Sequence, residues 1–416
     1  MQGTEDEKRQ VNAEDAEEAE ALQAPEEEPE QKHIYKLKYR FLKNKEILEE
    51  GGARSEIGDD RLVLLPANGM RSELIYRDIL EAKAADYALT LKLKGEETAV
   101  IYFLGRDFDS YTAHFFTGYN KIARKDSFMA EAAETVRKGA KFKFTKAGAT
   151  EEGGCDVAYG KTAVILQRTQ GEPARIPFAL IERTETTPYS IRYFVEGGGE
   201  WEIYMLADRY EKCREAYAKN VAGIIKNTAD AIKEAKGDIT PLALRKAAEL
   251  FLDGRAVAKA KADSVYPGLF QAVYAKAAAY GAGEYFDYLY GKSSETLIGF
   301  KKALLSGEED YLWMLCHIGG KVVLEAASPS KTGRATYVFS AGEDASASMR
   351  LINYCMHMTE FRREPVYMSQ AELQKEENAR YLESLRRVPE ILTLRKLYIK
   401  RVAHTSPDKW KENLLK

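Results

Sequence analysis

Ile101-Tyr102-Phe103-Leu104 returns as Ile203-Tyr204-Met205-Leu206, and the reading of that pair decides the architecture. Around it, residues 49–122 recur as residues 151–224 at a fixed offset of 102, without a gap. Glu49-Glu50-Gly51-Gly52 comes back as Glu151-Glu152-Gly153-Gly154, Gly69 as Gly171 and Gly95 as Gly197. Fourteen of the 74 paired positions are identical, too many for unrelated segments. Self-similarity at a fixed period sets the architecture before any local reading does.

The chemistry of the pairs matters more than their identity. Leu74, Tyr76 and Ile79 match Ile176, Phe178 and Ile181, while Leu89, Leu91 and Leu93 match Ile191, Tyr193 and Val195. Apolar side chains on alternate residues line one face of a strand, the mark of a half-buried antiparallel sheet. Gly95 and Gly197-Gly198-Gly199 supply turns into the next strand. The period then changes: Phe108, Tyr111, Phe115, Tyr119 and Ile122 match Tyr210, Cys213, Tyr217, Val221 and Ile224 at helical spacing. Each unit therefore reads as several short strands closed by one helix, its aromatic stripe packed over the sheet.

Strands curling into a small sandwich or barrel and capped by a C-terminal helix resemble the pleckstrin-homology-like superfold, over about residues 34–125 and 140–235. Tandem copies are also similar to the double modules of eukaryotic histone chaperones. The resemblance implies an α+β chain of two tandem units and a role in binding lipid headgroups, peptides or proteins, with little catalysis. In lipid-binding relatives, basic residues of the first two strands hold headgroup phosphates. Here that implication falls on Lys36, Lys38 and Arg40 in the first unit and on Lys141 and Lys143 in the second. Lysines on the outer face of a strand also serve simply as solvated guards against edge pairing.

The rest of the chain divides around these units. Residues 1–31 form an acidic tail with 12 acidic and 2 basic residues, a net of −10; the whole chain carries −3, which leaves +7 on residues 32–416. So much like charge with little apolar content predicts disorder. Residues 32–126 are the first unit and 140–236 the second, with Ser127–Arg137 read as a linking helix that Gly139 ends. Residues 237–306 read as helical, opening at Thr240-Pro241, an N-cap hydroxyl before a proline. Residues 307–360 read as three strands and a helix, a candidate for a diverged third copy of the unit. Residues 361–416 close the chain as helices, one spanning Pro389–Val402 and basic along Arg395, Lys396, Lys400 and Arg401, which makes it a candidate docking face.

Chemistry is harder to find. Cys316-His317 with Cys355 and His357 carries ligand types that suit zinc. Neighbours on a strand face opposite ways, and residues two apart on a helix diverge by roughly 200°, so the geometry opposes a metal site. Neither a phosphate loop, a dinucleotide fingerprint nor a nucleophile elbow is present. His33, His114 and His404 have no evident nucleophile beside them. Neither cofactor nor metal is expected, and no catalytic residue.

Nothing approaches eighteen consecutive apolar residues, the start lacks a secretory pattern, and four cysteines make no disulfide framework, so a cytoplasmic protein is expected. The leading expectation is a non-catalytic protein-binding or scaffold protein. One alternative is a peripheral binder of anionic lipid or nucleic acid, regulated by the acidic tail. Another is an enzyme whose site lies between the repeats and the helical region.

Overall fold

The computed structural model describes residues 34–129, 131–169, 171–302, 310–329 and 334–416. The acidic tail and His33 lie outside the described residues. The first unit comprises strands β1 (Ile34–Lys43), β2 (Glu46–Ile57), β3 (Arg61–Pro66), β4 (Ser72–Ile75), β5 (Ile79–Ala85), β6 (Ala88–Leu93) and β7 (Glu97–Tyr102), followed by helix α1 (Phe108–Asp126). The second comprises β8 (Ala133–Lys146), β9 (Ala149–Gly160), β10 (Ala163–Arg168), β11 (Ala174–Pro177), β12 (Ile181–Thr186), β13 (Ser190–Val195) and β14 (Gly199–Tyr204), followed by α2 (Tyr210–Ala235).

Both sheets are antiparallel, with orders β4-β3-β2-β1-β7-β6-β5 and β11-β10-β9-β8-β14-β13-β12. The first strand of each unit thus sits between the second and the last, so the sheet curls into a half-barrel. The fold class is α+β with tandem barrel-like units. Alternation is obeyed: Leu89, Leu91 and Leu93 on β6 are buried beneath α1, which contributes Tyr111, Phe115 and Tyr119 to the same core.

The repeat extends beyond its gapless core. Lys38 pairs with Gly52 and Tyr102, and Lys141 with Gly154 and Tyr204, so these lysines are equivalent at an offset of 103. A register shift at Phe41 and Leu42, which pair with Glu49 and Ile47 and skip Leu48, takes up the extra residue in the first unit.

Three expectations are corrected. The linking helix does not form: Ala133–Lys146 is one long strand, and the chain leaves α1 through a turn in which Met129 N–H donates to the Arg124 carbonyl at 2.8 Å. The long pairing of β8 with β9 outweighs the local helical pattern. The helix Pro389–Val402 ends early, because residues 398–402 are claimed by a sheet edge: α11 is Pro389–Leu397 and β20 is Tyr398–Val402.

The third correction concerns residues 307–360. Their strands β17 (Tyr311–Ile318), β18 (Lys321–Ala327) and β19 (Ala335–Ser340) and helix α7 (Ala345–Met358) do form. They belong, however, to a six-stranded meander, β15 (Val257–Ala258), β16 (Glu295–Lys301), β17, β18, β19 and β20, in sequential order. The free edge of β19 goes to β20, which follows the helix, and not to an opening strand. The region is therefore not a third copy. Two of its strands come from the stretch read as wholly helical, which otherwise holds α3 (Pro241–Leu250), α4 (Lys259–Val265), α5 (Leu269–Ala279) and α6 (Gly283–Lys292). The Thr240 N-cap is made, its hydroxyl accepting from Ala243 N–H.

The meander is buried on both faces. Along β17, Leu312, Met314 and Cys316 face the helices α5 and α6, while Trp313 and Leu315 join the core of the second barrel. The chain closes with α8 (Glu364–Tyr367), α9 (Gln370–Leu373), α10 (Ala379–Arg387), α11 and α12 (Pro407–Leu415). One apolar core thus runs through the second barrel and the meander, whereas the first barrel keeps a core of its own. Helix α10 ties the first barrel on: Glu383 meets Lys94 at 2.7 Å, and the Ser384 hydroxyl donates to the Asp126 carbonyl at 2.6 Å.

Candidate binding site

The basic residues singled out in the sequence do not converge on one place. Lys36, Lys38 and Arg40 lie on the outer face of β1, Lys141 and Lys143 on that of β8, and the remaining three at the carboxyl end. Lys396 is exposed on the last turn of α11. Arg401 lies over the Tyr367 ring, 5.2 Å from its centroid. Lys400 donates to the Asn413 carbonyl at 2.5 Å, and burial, then Lys321 and Lys416, lowers its pKa. Splitting these residues between a helix and a strand removes the single basic face expected of them.

What the structure does assemble is a surface that recurs on both barrels. Period-2 alternation along Ile101-Tyr102-Phe103 would turn Phe103 inward with Ile101. Phe103 instead takes a left-handed backbone, φ 64°, and its ring is 74% exposed. Met205, its counterpart, has φ 61° and is 51% exposed. Such a backbone is uncommon for a residue with a bulky side chain and costs free energy. The next-but-one position is left-handed too, at Gly105 and at Ala207.

Beside each of these side chains stands a tyrosine. Tyr87 and Tyr189, identical across the repeat, are 75% and 72% exposed at the turns into β6 and β13. Ala88 pairs with Tyr102 and Ser190 with Tyr204, which places each tyrosine next to the exposed residue after the last strand. The Lys38 ammonium sits over the Phe103 ring at 4.9 Å, and the Tyr87 ring meets Phe108 at 5.6 Å. Lys141 occupies the place of Lys38, and Arg40 and Lys143 are likewise equivalent. Each barrel therefore ends in a tip made of a tyrosine, a second large apolar side chain and a lysine. Sequence reasoning found the lysines and missed the apolar partners, because a positive φ, invisible to alternation, turned the latter outward.

The other chemistry-bearing groups make contacts within the fold. Cys316 and Cys355 pack on opposite faces of the meander. His317 Nδ1 meets the Ser294 hydroxyl at 2.8 Å, and His357 Nε2 meets the Gly254 carbonyl at 3.0 Å. All four cysteines are free and buried; burial pushes Cys155, Cys316 and Cys355 up to about 12 and Cys213 to about 11, so none is a ready thiolate. Glu325, His404 and Thr336 form a compact cluster, with Glu325 at 2.7 Å and Thr336 at 3.2 Å from His404. Both partners meet the same nitrogen, Nε2, whereas a nucleophile-activating relay uses the two ring nitrogens separately. Trp410 adds an indole N–H to Thr336 at 2.7 Å, so the cluster fastens α12 to the meander.

Among the described residues, no helix is long and apolar enough to cross a membrane. No family model matches this chain, and no curated protein matches it. Among solved structures, the chain is similar to one chain of "Structure of the Spt16D Pob3N heterodimer", at 16% identity, over 40% of this chain and 85% of that one, with a TM-score of 0.15. A likeness that low carries no argument about function.

Proposed function

We propose that the chain is a non-catalytic protein-binding scaffold of two pleckstrin-homology-like barrels, which engage a partner through equivalent tips. The strand order with its closing helix supports the superfold. The observation that carries the binding role is the pair Tyr87 and Phe103 recurring as exposed Tyr189 and Met205, with Phe103 and Met205 held by the same unusual backbone. Surface positions are free to diverge after duplication, so large apolar side chains retained there point to contact with something else. Lys36, Lys38 and Lys141 make the flanks basic and favour an acidic partner surface, while Arg40 and Lys143 pair with Glu50 and Glu152 of the neighbouring strands. Two tips on one chain raise the effective concentration of the second contact once the first has formed. The buried thiols fit a reducing, cytoplasmic setting.

The test is affinity capture by the full chain, by Tyr87→Ser/Phe103→Ser, by Tyr189→Ser/Met205→Ser, and by the fourfold variant. The expected result is one set of partners, reduced by either pair and lost by more than about ten-fold in the fourfold variant, with stronger retention at low salt. Equal recovery by all four proteins overturns the reading. So does binding to vesicles containing phosphatidylserine that the same substitutions abolish, which would place the tips on a membrane.

A further inference from the structure

The duplicated barrels differ in charge at the face where the chain enters the first of them. Lys36 on β1 stands directly opposite Arg54 on β2, and Lys38 follows on the same outer face. Like charges in register on neighbouring strands, about 5 Å apart at their Cβ atoms, destabilise a sheet. Arg40, one step further along, has its carboxylate in Glu50 at 3.0 Å. Lys36, Lys38 and Arg54 are all exposed, and among the described residues no carboxylate pairs with them. The second barrel meets the same problem internally. Asp156 holds the place of Arg54, and its carboxylate accepts at 2.8 Å from the N–H of Gly139, which holds the place of Lys36. The first barrel lacks that anion.

Carboxylates are supplied by the segment that leads into β1. Glu26-Glu27-Glu28 and Glu30 lie four to eight residues before Ile34, where the strand begins. Four to eight extended residues reach about 13–28 Å. Lys38 is four residues along the strand, about 13 Å from Ile34. A reversal of the chain after Glu30 therefore brings these carboxylates within reach of all three cations. Both neighbours of β1 are taken, by β2 and β7, so the segment cannot add beside it as a strand. It has only the outer face to lie on, which is the face that carries the unpaired charge.

We propose that Glu26–Glu30 dock on the outer face of the first barrel of their own chain, across Lys36, Arg54 and Lys38, and so screen its tip. Lys38 is the shared element, since its ammonium also lies over the Phe103 ring at 4.9 Å. Exposed ion pairs are individually weak, but a short tether holds the carboxylates at an effective concentration in the millimolar range. The second tip keeps Lys141 without this screen, because Asp156 stands beside it and repels carboxylates. The acidic segment is thus a stand-in for an acidic partner at one barrel and not at the other. A partner engages the second tip first, and the segment yields the first tip once that contact is made. This order of engagement rests on the tip reading above; the docking itself does not.

The test treats the full chain with a carbodiimide, which joins a carboxylate to a lysine amine in contact with it, and maps the links by mass spectrometry. Links from Glu26–Glu30 to Lys36 and Lys38 are expected, with Lys43 and Glu97, paired at 3.3 Å, as the internal reference. Arg54→Gln leaves both lysines and every carboxylate in place, and at an exposed position it disturbs folding little. It should lower those links against the reference by at least about two-fold, as should about 0.5 M salt. Links indifferent to Arg54→Gln overturn the proposal, since they report the tether alone. Links formed equally between isotopically light and heavy copies overturn it too, since the occupant then belongs to another molecule. The tips are read apart from this. In a chain bearing Tyr189→Ser/Met205→Ser, the joint change Glu26→Gln, Glu27→Gln, Glu28→Gln and Glu30→Gln should raise partner capture by at least about two-fold at low salt. Links that depend on Arg54 without that gain uphold the docking and count against the tips.

Discussion

Leu91 and Tyr193 occupy one and the same position in two different sheets. Leu91 pairs with Ala82 on one side and Ala99 on the other; Tyr193 pairs with Thr184 and Trp201, each partner displaced by the same 102 positions. Both side chains are fully buried. The helix that covers them compensates for the difference in size, since Tyr111 faces the first core and Cys213 the second. The duplicated core has moved its aromatic ring from helix to strand while keeping the interior filled.

That exchange can be tested as a cycle. Tyr193→Leu should cost about 2–4 kcal/mol through the cavity and the lost hydroxyl contact, since its hydroxyl lies 3.1 Å from that of Tyr159. Cys213→Tyr alone should overpack the core. The double variant, rebuilt like the first barrel, should be more stable than the two single effects predict by about 1 kcal/mol or more in urea unfolding.

The seat of Tyr354 gives a second contrast. A Cβ on Gly198 would come within 2.7 Å of Val195 Cγ1 and 2.9 Å of Tyr354 Cε2. Gly198→Ala should therefore destabilise by about 1–3 kcal/mol. Glu96, its counterpart on the first barrel, is exposed, and Glu96→Ala should stay within about 0.5 kcal/mol of wild type. Thermal melts of the two variants decide it.

His357 should make stability depend on pH. Complete burial, then the Lys301 charge, holds its pKa well below the ordinary 6.5, so the folded imidazole is neutral. The unfolded chain binds the extra proton below about 6.5, and stability must then rise with pH through that window. Going from pH 7.5 to 5.5 should cost about 1.4 kcal/mol from this group alone. Asp253 and Glu325, whose pKa values burial raises, act in the opposite sense. The difference between wild type and His357→Gln, measured by urea unfolding at both pH values, isolates the histidine.

Glu172 links the second barrel to α10. It accepts from Arg386 at 3.1 Å and from Arg387, whose side chain is wholly buried. Glu172→Ala should leave the Arg387 guanidinium unpaired and cost about 3 kcal/mol, visible in thermal unfolding. Arg386 also donates to the Leu80 carbonyl of the first barrel at 3.3 Å, so in this variant protease should cut faster just after α1, where the first barrel joins the second.

The sequence by itself determined the duplicated unit, its alternating strands and its closing helix, because matching side chains at a fixed offset must fill matching interiors. It determined the Thr240 N-cap and the meander strands β17 to β19 for the same local reason, since capping and alternation act within a few residues. Only the tertiary structure decided which edges meet. The pull of β9 made a strand of Ala133–Lys146, and the edge of β19 made a strand of Tyr398–Val402, in each case against a local helical pattern. The exposure of Phe103 and Met205 rests on one backbone angle that alternation does not report. The burial of Arg175 in the second barrel rests on α7, more than a hundred residues away in the chain. Contacts that distant are set by packing, and packing leaves no periodic trace in the residues it covers.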